Sequence, residues 1–210
     1  GARVMLIEEQ VRLGGSLAWQ HGRDQAAQVV RGELLDAVAA MDNVEVRCQT
    51  MAGGHYDDHW VALFDGQRMS KVRARAVVYA TGAIEQPAVF GHNDLPGVML
   101  ASAAQRLARL YAVKPCERMV LLAANSEAYS AALDMIAVGV EVAAIADLRP
   151  EGELSQLGRE VASAGVPIQR GYAIGEAVPN GAKSGLRAAV VAPLNPNGQI
   201  DTRRGEAIAC

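Results

Sequence analysis

Aromatic residues make up only 4% of these 210 residues, although 50% are hydrophobic. A core must therefore be filled mainly by small and branched aliphatic side chains, which suits closely packed α/β layers. No apolar run approaches the roughly 18 residues of a membrane-spanning helix. The 20 basic and 23 acidic residues are intermixed, with a formal charge of −3. That balance gives no basic footprint for nucleic acid. The three cysteines, Cys48, Cys116 and Cys210, stand far apart, and none forms a Cys-x-x-Cys pair. This argues against a metal cluster or a redox dithiol, and points to reduced thiols in a cytoplasmic protein. The N-terminus lacks the basic-then-apolar pattern of a secretory leader.

One further absence concerns glycine. In dinucleotide folds, an acidic residue that closes a buried strand follows a Gly-x-Gly-x-x-Gly turn by roughly 20 residues. Here Arg3-Val4-Met5-Leu6-Ile7 reads as such a strand and ends in Glu8-Glu9, too near the start for that turn to precede it. At the other end, Glu206-Ala207-Ile208-Ala209-Cys210 is strand-like and stops without a turn. The chain is therefore expected to be an internal piece of a longer polypeptide, truncated at both ends.

What is present points to nucleotide chemistry. Val77-Val78-Tyr79 is β-branched and aromatic and runs into Ala80-Thr81-Gly82-Ala83, with Pro87 soon after. This predicts a buried strand that ends at a tight turn, where a residue without Cβ lets the backbone approach a ligand. Glu8 is the candidate carboxylate for a ribose hydroxyl pair, with Glu9 as the alternative. Gly14 and Gly15 either line the ligand or only turn the chain. Thr50 and Met51 follow the third strand and are candidates to touch an adenine through backbone groups. Ala80, Thr81 and Gly82 are expected near a pyrophosphate.

Between these points the pattern alternates helix and strand. Val29, Val30, Leu34, Leu35, Val38 and Met41 recur at helical spacing from about Asp24 to Met41. Val44 to Cys48 reads as a short strand and Gly53-Gly54 as a turn or bulge. Trp60 to Phe64, Asp65-Gly66, then Gln67 to Arg75 read as a hairpin. Leu100 to Tyr111 marks an amphipathic helix. A second α/β unit follows: a strand at Met119 to Leu122, a helix from Glu127 to Val138, and a strand from Val140 ending in Asp147. Then come a helix at Leu154 to Ala164, a short strand at Val166 to Ile168, and a β-rich end from Gly171. The fold class is α/β, with two Rossmann-like dinucleotide-binding units of the pyridine nucleotide–disulfide oxidoreductase type. The first is assigned to residues 1–112 and the second to residues 113–210.

The second unit has a degenerate phosphate loop. Ala123-Ala124-Asn125-Ser126-Glu127-Ala128 contains no glycine, and Glu127 would repel a phosphate. Asn125 or Ser126 is expected to cap a structural helix instead. His55 and His59, near Asp57 and Asp58, suggest a metal site, but an i, i+4 pair shares a face in a helix and the surrounding residues read as turn and strand. No metal and no catalytic residue is assigned.

Four stretches carry a resemblance. They are Gly53-Gly54-His55-Tyr56-Asp57, Ala80-Thr81-Gly82-Ala83, the run from Phe90-Gly91-His92-Asn93-Asp94-Leu95-Pro96-Gly97 to Val98-Met99-Leu100-Ala101, and Val138 to Ala144. Together they resemble the α subunit of heterotetrameric sarcosine oxidase, and related amine and opine dehydrogenase subunits share much of the pattern. The resemblance implies a fold like thioredoxin reductase. It also implies NAD as the dinucleotide of this subunit, with FAD as an alternative, and FAD and a covalent FMN in a flavin-bearing β-type partner subunit where the amine is oxidised. The expected partners are the remainder of the polypeptide and that β subunit, with no nucleic acid and no membrane. The chain lacks the first glycine loop and the family's folate-binding C-terminal region, so inactivity on its own is expected. Two other readings are a self-sufficient pyridine nucleotide–disulfide reductase relative and a non-catalytic interaction subunit.

Overall fold

In the computed structural model, which describes residues 1–20, 25–182 and 184–210, the first apolar run forms β1 (Val4–Ile7). It pairs in parallel with β2 (Val44–Arg47), and α1 (Gln25–Ala39) lies between them in sequence. The helix start expected at Asp24 lies outside the described residues. Two apolar stripes run along α1. The inner one holds Ala27, Leu35 and Val38, all half-buried. Val29, Val30, Leu34 and Met41, which share the helical spacing, are exposed. Helical spacing alone does not say which of two stripes turns inward.

The chain then forms an antiparallel meander of β3 (Met51–Tyr56), β4 (Trp60–Phe64) and β5 (Met69–Arg73). The pairing of β3 with β4 slips between Ala52 and Gly54, which is the bulge expected at the glycine pair. A Cβ on Gly53 would stand 2.5 Å from the Phe64 ring, so glycine is required there for packing. The Asp65-Gly66 turn closes the hairpin, with Asp65 Oδ1 accepting from Gln67 N and Arg68 N. These two hydrogen bonds, that from Arg68 the stronger, hold the Asp65 carboxyl below its ordinary range.

The Val77–Ala83 run is not the buried strand that its composition predicts. It has no regular secondary structure, with Val78 88% and Tyr79 66% exposed. Apolar β-formers make a strand only where a neighbouring backbone offers partners, and among the described residues none pairs with this run.

Two units result, Gly1–Ile84 and Glu85–Cys210. The second contains α2 (Ala101–Tyr111), which the sequence assignment grouped with residues 1–112. Its parallel sheet has the order β6 (Arg118–Ala123), β7 (Glu141–Asp147), β8 (Ile168–Arg170). The helices α3 (Glu127–Ala137) and α4 (Gln156–Ser163) connect these strands. The β-rich end forms an antiparallel sheet of β9 (Tyr172–Pro179), β10 (Leu186–Pro193) and β11 (Glu206–Ala209).

Alternation along β6 divides the core. Leu121 and Ala123 face the helices with Tyr129, Leu133 and Val161, while Val120 and Leu122 face Ile174, Ala189 and Val191 of the antiparallel sheet. A strand covered on both faces reads as a continuous apolar run, which is why β6 was legible. The Phe90–Ala101 stretch docks on β9: Gly91 N donates to Gly175 O at 3.0 Å and Ala177 N donates to Gly91 O at 2.7 Å. His92 lies 3.2 Å from Glu176.

The N-terminus of α2 has no cap from its own flanking residue. Glu85 supplies one from a distance, with Oε1 accepting from Ala101 N at 3.1 Å and Oε2 from Ser102 N at 2.8 Å. A carboxylate there satisfies two free amides and complements the helix dipole. Glu85→Ala is expected to lower stability by about 1 kcal/mol, with a smaller loss for Glu85→Gln. Urea unfolding of the three proteins measures the difference.

Candidate functional site

The C-terminal ends of parallel strands are where α/β folds receive ligands. In the first unit, β1 ends at Ile7, just before Glu8, and β2 ends at Arg47, three residues before Thr50. Their backbones continue side by side: Glu8 N donates to Arg47 O at 2.9 Å, and Thr50 N to Glu8 O at 3.0 Å. Glu8 is half-buried and Glu9 is exposed. One Glu8 oxygen, Oε1, accepts from Gln10 N at 2.8 Å, which fixes the carboxylate at the strand end. Thr50 is 6% exposed, and its hydroxyl donates to Cys48 O at 3.0 Å, whereas Met51 is 47% exposed.

Gly14 and Gly15 open a short 3-10 turn with φ of 122° and 53°. A Cβ on Gly14 would lie 2.3 Å from Arg31 Nε, so the glycine makes room for an arginine from α1. That Nε is buried and has no hydrogen-bond partner among the described residues. A buried guanidinium nitrogen without an acceptor is costly unless something arrives to accept from it. Arg31 was missed from sequence. Its signal is an arginine on the half-buried stripe of a helix, beside Ala27 and Leu35. Ala80, Thr81 and Gly82 are exposed, with Gly82 at φ 68° and nothing within 4 Å of where its Cβ would stand. Thus Glu8 and Thr50 come together, Gly14 joins Arg31, and no hydrogen bond among the described residues ties Ala80–Gly82 to either pair.

The corresponding end of the second unit is filled by the protein's own side chains. Asp147, at the end of β7, is 0% exposed. Its Oδ1 accepts from Arg149 N and from Arg149 Nε, both at 3.0 Å, and its Oδ2 accepts from Arg149 Nη2 at 2.8 Å and from the Tyr129 hydroxyl. Arg170 Nε stands 3.4 Å from the same carboxylate. Arg149 also donates to Ser126 Oγ at 3.2 Å and lies over the Tyr129 ring. Burial pushes the Asp147 carboxyl up, but the hydrogen bonds from Arg149 and Tyr129 outweigh it and hold the group below its usual range. Asn125, not Ser126, takes the helix amide: its Oδ1 accepts from Glu127 N at 3.0 Å. Ser126 is the residue flanking α3, but its side chain makes no cap hydrogen bond.

Elsewhere, the three cysteines are free thiols, and burial raises the Cys116 and Cys210 thiols above their ordinary range. His55 and His59, separated in the sequence reading by turn and strand, do meet. His55 is on β3, and a 3-10 turn over Asp57–His59 brings His59 Nδ1 within 3.2 Å of His55 Nε2. An open cavity of about 590 Å³ is lined there by Asp58, His59, Arg73, Ala74 and Arg75. Among the described residues, no helix is long and apolar enough to cross a membrane.

No protein-family model matches the chain. The sarcosine oxidase α subunit of Corynebacterium sp. (strain P-1) is 32% identical over 95% of this chain and 22% of its own length. That of Rhizobium meliloti (strain 1021) is 33% identical over 76% of this chain and 18% of its length. The chain thus spans about a fifth of the curated relatives it matches. Thioredoxin reductase from T. acidophilum superimposes over 99% of this chain and 73% of its own, with a TM-score of 0.67 and 11% identity. The fold is therefore that of the thioredoxin reductase-like, pyridine nucleotide–disulfide oxidoreductase class. By sequence, the chain is similar to a segment of sarcosine oxidase α subunits along most of its own length.

The Asp147 cluster yields a stability prediction. Arg149→Ala leaves a buried carboxylate with weaker partners and is expected to cost about 3 kcal/mol in thermal or urea unfolding. Because the folded Asp147 pKa is depressed, its stabilisation is full above the unfolded value of roughly 3.9. It is lost as pH falls through the folded pKa. The stability gap between wild type and Asp147→Asn should therefore hold steady above about pH 5 and shrink on further acidification.

Proposed function

We propose that the chain is a dinucleotide-binding segment of an FAD/NAD-dependent oxidoreductase subunit, sarcosine oxidase α-like, with the ligand held by the first unit. The observation that carries this reading is the paired strand end at Glu8 and Thr50. Glu8 Oε1 is engaged by the backbone, which orients the carboxylate and leaves its other oxygen for a ribose hydroxyl. Arg31 Nε, buried beside Gly14 without an acceptor, fits an anionic group such as a phosphate. Gly15, Met51 and the Ala80–Gly82 backbone offer amide and carbonyl groups to the rest of the ligand, and Glu9 is the alternative ribose acceptor. NAD is the proposed occupant and FAD the alternative. Such a ligand would supply hydride chemistry, or serve as a fixed structural element; the chain's own residues bind and orient it.

On this reading residues 1–112 form the ligand-binding part and residues 113–210 a second Rossmann-like unit that takes no nucleotide. In the second unit, Arg149 and Tyr129 occupy the carboxylate that a ribose would need, and Glu127 opposes a phosphate at α3. The segment then scaffolds oxidative demethylation of sarcosine, with the amine oxidised at the flavin of a β-type partner subunit in the cytoplasm. We assign no catalytic residue here.

Two measurements test the binding reading. Calorimetry with NAD and with FAD should give weak binding to the 210-residue chain alone, because phosphate contacts from a glycine-rich turn are missing. Submicromolar binding would overturn that expectation. In a polypeptide that also carries such a turn ahead of β1, Glu8→Ala should weaken nucleotide retention by about 1.5–3 kcal/mol, more than Glu9→Ala. Equal retention by wild type and both variants, assayed as nucleotide released on denaturation, would remove Glu8 from the site.

A further inference from the structure

The turn between β3 and β4 has an unusual backbone. Asp58 and His59 both have φ of 57°, a left-handed conformation that costs non-glycine residues energy. Its effect is to set the His59 ring against His55. The two rings are inclined by 15°, with centroids 5.4 Å apart, and His55 Nε2 faces His59 Nδ1 at 3.2 Å. The other nitrogen of His55, Nδ1, meets the Tyr79 hydroxyl. All three side chains are exposed.

We propose that His55 Nε2 and His59 Nδ1 form a two-histidine site for a divalent transition-metal ion of the nickel, copper or zinc type. Donors 3.2 Å apart, each bonded to one ion at 2.0–2.1 Å, open an angle of roughly 100°, between square-planar and tetrahedral. Tyr79 performs the usual supporting task for a histidine ligand. By accepting from His55 Nδ1–H it fixes the tautomer that leaves Nε2 with a free lone pair. His59 then presents Nδ1 by carrying its proton on Nε2, so two neutral rings bind the ion with no net proton released. Among the described residues no group of three or more His, Cys, Asp or Glu forms a closed metal set. The remaining coordination positions therefore fall to water, and the site is open and exchangeable. An ion there would tie the β3–β4 turn to the segment that leads into Ala80-Thr81-Gly82.

The test titrates the 210-residue chain with Ni²⁺ and Zn²⁺ by calorimetry, and with Cu²⁺ by quenching of Trp60, the residue next to His59. One ion per chain is expected, bound in the micromolar range. His55→Ala and His59→Ala should each weaken binding at least about tenfold, and Tyr79→Phe by a smaller factor. His55→Gln keeps size and hydrogen bonding and should show the same loss as His55→Ala, which separates lost ligation from a disturbed hairpin. His92→Ala, in the second unit, should bind as wild type does. Binding only at millimolar metal would overturn the proposal. So would wild-type affinity in both histidine-to-alanine variants or in His55→Gln.

Discussion

Backbone N–H and C=O groups need partners wherever water is excluded, and this requirement separates the two halves of the chain. In the second unit each strand finds a neighbour: β7 lies between β6 and β8, and β10 lies between β9 and β11. Helices cover one face of the parallel sheet, and the antiparallel sheet covers the other. Large side chains such as Tyr129, Met135 and Ile145 are then fully buried. In the first unit β4 lies between β3 and β5 and buries Ala62 and Leu63, but the β1–β2 sheet has only two strands and the Val77–Ala83 run has no partner among the described residues. Without a second neighbour there is little to bury, and α1 has no buried residue.

The same requirement explains what could be read from sequence. In the second unit β6, β7, α3 and α4 are legible because apolar periodicity reports burial directly, whereas the short strand expected at Val166 to Ile168 runs over Ile168–Arg170. The hairpin at Asp65-Gly66 was legible because its turn chemistry is local. Val77 to Ala83 has a strand's composition, but composition cannot supply a partner. Helical spacing gives α1 but not its inner face: Val30 and Leu34 are exposed, while Leu35 and Val38 are half-buried.

The candidate site was legible in part. Glu8 follows from an acidic residue closing an apolar strand, and Thr50 follows from the strand that pairs with it. Arg31 did not follow, because its role depends on Gly14, seventeen positions earlier, opening space for its side chain. Helical spacing does not predict the contact of His55 with His59, because neither lies in an α-helix. Two consecutive left-handed residues bring the rings together by another route. Special backbone angles at non-glycine residues leave no clear trace in composition.

The buried carboxylate at the end of β7 bears on how this segment can change over generations. Arg149 cannot be lost while Asp147 remains without leaving an anion with too few partners in a dry interior. Asp147 cannot be lost first without stranding an arginine against Tyr129 and Ser126. Each single step is penalised where the joint change need not be. The cluster therefore acts as a ratchet. Any sequence change that removes this ion pair one residue at a time passes through a less stable intermediate.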